Sequence, residues 1–225
     1  MTGVFLFKKG NMKLNLTKIG RIVLATNLIG LGVALILKAN IGSDSITVFQ
    51  DGIHVFLTIT YGSASRLYNL ILISIALMFG RKYIGIGTVI SAFLVGFLID
   101  FYLGVISMFF IQTSLSLSLI LFIVGQTVYS IGLAVLIYFE VGMSCLDCVL
   151  YGVYKKIRIS YRDLRIAVDL TLTLMGIVLG GKWGIGTVYS VLFTGTIINL
   201  SIRYLSIQKK KAMQKIVEKI IIQRF

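Results

Sequence analysis

Polar side chains inside apolar segments are the residues of this chain best placed to do chemistry. Asp100 and Asp169 each lie within an apolar block, where a charged group is costly and indicates a solute or ion pathway, or a buried pair. We expect Asp100 to be the first candidate for proton coupling or cation contact, and Asp169 the second. The alternative for Asp100 is an acid near the outer end of its helix that reaches water. The alternative for Asp169 is a hydrogen bond between helices that serves packing.

The two acids belong to polar pairs that recur when the sequence is shifted by about 100 residues. The shift places Asn69 on Asp169, and one residue fewer places Asp100 on Asn199. The third pair is Asn27 and Gln126, which fall one residue apart in the two copies. We predict that these side chains share a central surface that forms the substrate or ion pathway. A carrier and a simple helix bundle would both turn them inward.

Two Gly-Ile-Gly-Thr segments supply a different chemistry. Glycines at a helix start let an anion approach exposed amides at the positive end of the helix dipole. Close helix packing through small residues is the favoured alternative, and no strand precedes either segment to suggest a dinucleotide fold. The predicted anion contacts are Gly85, Gly87 and Thr88 in the first segment and Gly184, Gly186 and Thr187 in the second.

The remaining reactive residues are few. Cys145 and Cys148 have the Cys-x-x-Cys spacing, but no second Cys or His pair accompanies them, and His54 is the only histidine. Buried structural cysteines are therefore favoured over redox or metal chemistry. We expect no metal, no cofactor and no enzyme activity. An intramembrane enzyme is the weakest interpretation, since no nucleophile and base are seen together.

The elements that position these residues are apolar helices. Hydrophobic residues make up 57% of the 225-residue chain and charged residues 13%, a balance typical of integral membrane proteins. After the first and fourth blocks the sequence predicts a polar break and a short amphipathic helix, either interfacial or re-entrant. Asp44 and Ser144 stand where an N-cap would begin these two helices. Six blocks approach the length of a membrane span: Arg21 to Lys38, Ala64 to Phe79, Ile84 to Leu103, Leu115 to Phe139, Leu164 to Leu179 and Gly184 to Leu205.

The halves of the chain repeat each other. Gly32, Gly42 and Tyr61 fall on Gly132, Gly142 and Tyr161, which indicates an internal duplication. With the N-terminus in the cytoplasm, only Lys38, Arg66 and Lys182 of the 22 basic residues fall outside. The distribution of positive charge therefore predicts two cytoplasmic termini and two copies of opposite orientation. The net charge of +14 reports this orientation and contact with anionic lipid, not nucleic acid.

Four segments of the chain, at residues 30–35, 40–42, 85–88 and 96–100, carry a family resemblance. They resemble the YczE/YyaS/YitT group of bacterial multi-pass membrane proteins, and most closely its YczE branch. The likeness runs from about Ile22 to Tyr204, and it implies a bacterial cell membrane and about six helices, with no agreed substrate. The group commonly has Pro-Trp-Asp after the glycine of the break. Here Ser45-Ile46-Thr47 stands in that place, and only the second copy keeps an acid, Asp147. The segments that carry the resemblance are Gly30-Leu31-Gly32-Val33-Ala34-Leu35, Asn40-Ile41-Gly42, Gly85-Ile86-Gly87-Thr88 and Gly96-Phe97-Leu98-Ile99-Asp100.

The sequence thus predicts an all-α integral membrane protein of about six transmembrane helices in two inverted three-helix repeats. Residues 1–21 form a cytoplasmic segment, 22–105 and 106–205 the repeats, and 206–225 a basic amphipathic tail on anionic lipid. The predicted function is a permease or exporter of a small solute, working by alternating access. The alternative is a non-transporting accessory or scaffold protein for a biosynthetic or secretory complex, docking through the tail and the loop from Tyr151 to Arg162.

Overall fold

The computed structural model describes residues 16–109, 114–139, 144–155, 157 and 159–222. Within these residues the chain is entirely helical and contains no β-strand. Its helices are α1 (Leu16–Ala39), α2 (Ser45–Leu57), α3 (Tyr61–Phe79), α4 (Ile86–Phe109), α5 (Leu115–Tyr138), α6 (Cys145–Tyr154), α7 (Tyr161–Val178) and α8 (Ile185–Ile222), with one 3-10 turn at Arg81–Tyr83.

Five of these helices (α1, α3, α4, α5 and α8) are long and apolar enough to cross a membrane. They confirm the prediction of a multi-pass all-α membrane protein. The sixth predicted span corresponds to α7, which has 18 residues. Four of these are charged, namely Arg162, Asp163, Arg165 and Asp169, so α7 is too polar to be identified as a span by composition.

An antiparallel pair, α1 and α5, forms the centre of the bundle, with α4 packed on α1 and α8 packed on α5. Glycines make the central contact close. A methyl group on Gly32 would lie 2.5 Å from the Tyr129 amide nitrogen, and one on Gly132 would lie 2.9 Å from the Ile29 amide nitrogen. Small residues at such positions let helix backbones approach within van der Waals contact, the usual source of helix association in a bilayer.

Two ends of the bundle serve as reference points. The Leu16 end holds the start of α1 and the end of α5, where the Arg21 guanidinium lies 4.1 Å from the centre of the Phe139 ring. The Ala39 end holds the end of α1 and the start of α8, where the Gly186 amide donates to the Ile41 carbonyl over 2.9 Å.

The short helices α2 and α6 begin near mid-bundle and run to opposite ends. Ser45, the first residue of α2, bonds to Asp169 halfway along α7, and six residues later Asp51 accepts from the Lys182 amide at the Ala39 end. In the same way α6 packs along the second half of α3 toward the Leu16 end, where a methyl group on Gly152 would overlap with the Phe79 carbonyl. Both therefore lie alongside other helices of the bundle; they are called the half-helices below.

The α3–α4 pair and the α7–α8 pair, which are the last two long helices of each half, pack differently. α3 packs closely on α4, where a methyl group on Gly62 would overlap with the Gly96 carbonyl. Between the described residues of α7 and α8 contact is sparse, and a methyl group on Gly195 would meet no atom within 4 Å. The two halves of the chain thus differ in how their last two long helices meet.

Candidate functional site

A cavity of about 110 Å³ lies at mid-bundle, where α1 to α6 meet. The N-termini of both half-helices reach it, through Ile46 and Thr47 of α2 and through Ser144 and Cys145 of α6. Ser144 caps α6 by accepting from the Asp147 amide. The two half-helices therefore converge on one cavity from opposite ends of the bundle.

Tyr68 of α3 supplies the most informative polar group in the cavity wall. Its side chain is only 5% exposed, and its hydroxyl has no hydrogen-bond partner within the described part of the chain. An unpartnered buried hydroxyl costs free energy. Tyr68 thus brings to the cavity wall a hydroxyl that is closed to water in this state, and a ligand group or water that reached it would supply the missing bond.

The rest of the cavity wall is neutral. Ser65 and Asn69 flank Tyr68 on α3, and the Asn69 amide donates to the Ala92 carbonyl over 3.2 Å. No Asp, Glu, Lys, Arg or His is among the described residues that line the cavity. The apolar part of the wall comes from α1, α4 and α5 and includes Ile29, Val33, Val95, Ile99, Leu133 and Leu136.

A charged cluster stands beside this cavity, between the half-helices and α7. Arg165 is its centre: Nη1 bonds to Asp147 over 2.7 Å, and Nε bonds to Asp169 over 2.8 Å. Ser45 donates to the second oxygen of Asp169 at 2.7 Å, and Tyr161 donates to Asp147 at 3.0 Å. The charged cluster therefore ties α7 to the starts of both half-helices, with each carboxylate held by two partners.

The charged cluster and the cavity wall occupy corresponding places in the two halves of the sequence. A shift of 100 residues places Thr47 on Asp147, Ser65 on Arg165 and Asn69 on Asp169. The neutral trio of Thr47, Ser65 and Asn69 lines the cavity, whereas its charged counterparts bond to one another. The corresponding positions therefore carry neutral cavity-lining groups in one half and ion pairs in the other.

A second cavity, of about 190 Å³, opens at the Ala39 end beside Asn40, Asp51, His54 and Lys182. Tyr61 lines it and donates its hydroxyl to Gln50 over 3.1 Å. Gln50 also lines the mid-bundle cavity. The buried Tyr61–Gln50 contact therefore stands between the two cavities.

Asp100 of α4, predicted as a pathway residue, packs against the start of α3 and does not line the mid-bundle cavity. Its carboxylate accepts from the Gly62 amide over 2.7 Å and from Thr60 over 2.9 Å, and Arg66 is 3.9 Å away. Its counterpart Asn199 is exposed on α8. The structure therefore places the two members of this pair in different surroundings, and the role of Asp100 in a pathway stays a prediction.

The third predicted pair bonds neighbouring helices. Asn27 accepts from Tyr102, joining α1 to α4, and Gln126 donates to Thr194, joining α5 to α8. Of the six predicted pathway residues, Asn69 alone lines the mid-bundle cavity, with Asp169 in the adjoining charged cluster. The structure brings these two together and leaves the other four elsewhere.

The second Gly-Ile-Gly-Thr segment packs on the break after α1. Gly186 donates to the Ile41 carbonyl, Thr187 donates to the Gly184 carbonyl, and the Gly184 amide bonds to the Thr187 hydroxyl at 3.3 Å. In the first segment Thr88 is buried. Close packing accounts for the described contacts of the second segment, and an anion contact at either one stays a prediction.

The cysteines and the tail complete the set of predicted features. Cys145 lines the mid-bundle cavity as a free thiol, and Cys148 donates to the Tyr83 carbonyl at 3.4 Å. Within the described residues no group of three metal-ligating side chains is found. α8 continues to Ile222, but side chains from 209 onward lie outside the described residues, so the lipid contact of the basic tail stays a prediction.

Sequence reasoning missed Ser65, Tyr68 and Arg165. Arg165 counted only as a cytoplasmic charge, although it stands four residues before Asp169 and thus on the same helix face. Ser65 could have been found as its counterpart under the shift of 100. Tyr68 carries no such signal, because only the packing shows that its hydroxyl is buried without a partner.

Comparisons with known proteins agree with the resemblance drawn from the sequence. The model of a family described as "Family of unknown function (DUF6198)" matches residues 16–203. An uncharacterised protein of Haemophilus influenzae is 25% identical over 79% of each chain. The uncharacterised membrane protein YczE of Bacillus subtilis is 22% identical over 78% of this chain and 80% of its own. No solved structure matches the chain.

Proposed function

Since the chain belongs to the DUF6198 family and has a YczE-like membrane protein among its relatives, we propose that it is a permease or exporter of a small solute. The observation that carries the proposal is the mid-bundle cavity, on which the N-termini of two half-helices converge and whose wall includes Tyr68, with a buried hydroxyl that has no partner among the described residues. Discontinuous helices that meet near mid-membrane are a recurrent way to build a transporter binding site.

An inverted repeat supports this proposal. If α1 to α4 correspond to α5 to α8, a contact between any two helices should recur between the two helices that correspond to them. The α1·α4 contact has α5·α8 as its partner, α2·α7 has α3·α6, and α2·α3 has α6·α7. Tyr61 and Tyr161 extend the correspondence, because each bonds to the half-helix of its own repeat. Inverted repeats with a site between them are typical of secondary transporters.

The unequal contacts of α3·α4 and α7·α8 support alternating access. In an inverted repeat these two contacts exchange roles when the protein changes state, so that one opens as the other closes. Here Asp100, Gly62 and Arg66 join α3 to α4 at the Ala39 end, whereas α7 and α8 have sparse contact. We infer a state in which the Tyr61–Gln50 contact closes the mid-bundle cavity off from the second cavity at the Ala39 end, while α7 and α8 are parted toward the Leu16 end.

The orientation that we propose follows from the positive charges. The Leu16 end would face the cytoplasm, because the loops and tails at that end hold most of the 22 basic residues. Both termini would then be cytoplasmic, in a bacterial cell membrane. The proposed state is therefore open toward the cytoplasm.

A two-step experiment tests the proposal. The thermal unfolding temperature of the purified protein is screened against a library of metabolites, because a ligand of the folded state stabilises it by RT ln(1 + [L]/Kd). The best ligand is then loaded into proteoliposomes for counterflow. Saturable uptake that is accelerated by ligand on the opposite side supports a carrier.

The accessory protein is the alternative, and it predicts a different pattern. A well-folded protein that binds no metabolite and drives no counterflow contradicts the carrier. Replacing the basic tail, residues 206–225, would then abolish function, while Asp100→Asn would leave it intact. For a carrier we expect Asp100→Asn to abolish function and replacement of the tail to leave it intact.

A further inference from the structure

We propose that the mid-bundle cavity selects an uncharged solute, one that combines an amide or hydroxyl group with a small apolar part, over anions and cations. This inference rests on the proposed function in taking the cavity as the solute site. It adds the chemical class of the solute, which follows from how the charges around the cavity are balanced.

Anions are disfavoured because carboxylates already lie at both half-helix N-termini. A helix N-terminus carries roughly half a positive charge and attracts anions. Asp44 immediately precedes α2, and Asp147 lies in the first turn of α6. Each positive helix end is thus offset by a carboxylate of this chain. No Lys or Arg reaches the described cavity wall to supply another positive charge.

Cations are disfavoured because the carboxylates are held by partners and do not line the cavity. Asp147 and Asp169 both bond to Arg165, and Asp44 accepts from Thr47 over 2.6 Å. The N-termini of the two half-helices offset roughly one further unit of negative charge. A cation in the cavity would therefore lose its water without gaining a carboxylate ligand from the described part of the wall.

The groups that remain suit a neutral amphiphilic molecule. Tyr68 lines the cavity and has a buried hydroxyl without a partner among the described residues, and Thr47, Ser65 and Asn69 add further neutral polar groups to the wall. The opposite wall is aliphatic, with Ile29, Val33, Val95 and Ile99 among its residues. The volume of about 110 Å³ is somewhat smaller than an apolar cavity of about 150 Å³ that holds benzene, so the solute has only a few non-hydrogen atoms.

Three molecules of nearly equal shape test this class directly. Acetamide, acetate and acetamidinium have the same number of non-hydrogen atoms but are neutral, anionic and cationic. The purified protein is unfolded thermally in detergent with each at equal concentration and ionic strength, together with propionamide and isobutyramide as larger neutral amides. We expect the neutral amides to raise the unfolding temperature, and the two ions to change it no more than sodium chloride does.

Two hydroxyl deletions supply the variant and its matched control. Tyr68→Phe removes the unpartnered hydroxyl of the cavity, so we expect the amide dissociation constant to rise about threefold to tenfold. Ser130 also has a fully buried, unpartnered hydroxyl within the described residues, but it does not line the cavity. Ser130→Ala should therefore leave amide binding unchanged. Without ligand, both variants should unfold at the same or a higher temperature than the wild type.

A third variant reverses the selectivity. Asn69→Asp places in the cavity wall the acid that the second half of the chain has at Asp169. We expect acetamidinium to become the most stabilising of the three probes. Thr47→Ser, which keeps a neutral hydroxyl at the cavity wall, is the conservative control and should retain the preference for acetamide.

The outcomes separate this inference from the proposed function. A larger shift with acetate or acetamidinium in the wild type overturns the neutral class, whether or not counterflow is seen. Shifts from none of the amides, or amide shifts that survive Tyr68→Phe, overturn it as well. Amide binding at Tyr68 without counterflow of any bound solute supports the inference and contradicts the carrier.

Discussion

The two halves of this chain use the same positions for opposite purposes. In the first half the neutral trio of Thr47, Ser65 and Asn69 faces the mid-bundle cavity. In the second half the residues 100 positions later form the charged cluster: Asp147, Arg165 and Asp169. The difference teaches that equivalent sequence positions can carry neutral groups beside a cavity in one half and ion pairs that hold α7 to both half-helices in the other.

A second contrast follows the same division. α3 and α4 of the first half are held together by Asp100, Gly62 and Gly96, whereas α7 and α8 of the second half have sparse contact. Neutral cavity-lining groups and a close helix contact thus occur in one half, and ion pairs and a sparse helix contact in the other. Each variant below alters one side of these contrasts and leaves its counterpart as a control.

Removing the centre of the charged cluster should have the largest effect. Arg165→Met leaves Asp147 and Asp169 together without a cation, and we expect a loss of roughly 2–4 kcal/mol in the free energy of unfolding. The lower end of this range applies because the Arg165 side chain is 33% exposed. Equilibrium unfolding in mixed micelles measures the loss.

Two further proteins control for the loss of an arginine. Arg162→Met removes an exposed arginine of the same helix, and its cost should stay within about 0.5 kcal/mol. The triple variant Asp147→Thr, Arg165→Ser, Asp169→Asn gives the second half the neutral trio of the first. It should regain much of the stability, whereas a triple variant no more stable than Arg165→Met would contradict an ion-pair origin of the effect.

The helix contacts are compared through a pair of glycines. Gly96→Ala pushes a methyl group to 2.6 Å from the Gly62 carbonyl oxygen, so we expect a cost of roughly 1–3 kcal/mol. Gly195→Ala, at the corresponding place in α8, meets open space and should be neutral or slightly stabilising. Equilibrium unfolding of the two variants side by side measures this difference. Equal losses in the free energy of unfolding would contradict a closer helix contact at Gly96 than at Gly195.

Replacing Asp100, the α4 acid that bonds to the start of α3, should have the smallest effect on the free energy of unfolding. Asp100→Asn weakens a charge-assisted bond to the Gly62 amide, and its partial exposure limits the cost to about 1 kcal/mol. Asn199→Ala, at the exposed counterpart, should cost less than about 0.5 kcal/mol. The rise in unfolding temperature that a ligand causes in Asp100→Asn then tests the predicted pathway role of Asp100. A rise equal to that of the wild type favours a role in capping α3, and loss of the rise favours ion coupling.

Much of the fold was predictable because apolar blocks of membrane-span length determine where helices form. The blocks beginning at Arg21 and Leu115 match α1 and α5 closely. Ser144 was correctly predicted as the residue that caps α6. For Asp44 the structure shows the expected position before α2 but no side-chain capping bond.

The site was less predictable, because depth in the bundle depends on packing between distant segments. Asp169 and Asn69 were predicted from the cost of polar groups in apolar blocks, and both lie at or beside the cavity. By the same reasoning Asp100 was expected to be central, but it lies in the second half of α4, where packing on α3 brings it to the start of that helix. The convergence of α2 and α6 has no sequence signal beyond the two breaks, since hydropathy does not distinguish a helix that lies along α7 from one on the membrane surface.

The most direct test of the account is whether the mid-bundle cavity is reached from one side of the membrane at a time. Ser65→Cys in a Cys145→Ala, Cys148→Ala background places a single thiol in the cavity wall. It is treated with a membrane-impermeant methanethiosulfonate in right-side-out and inside-out vesicles, with and without the stabilising solute. We predict labelling from the cytoplasmic side alone without solute, and protection or a change of side with it. Simultaneous labelling from both sides, or none from either, would contradict an alternating-access cavity between the repeats.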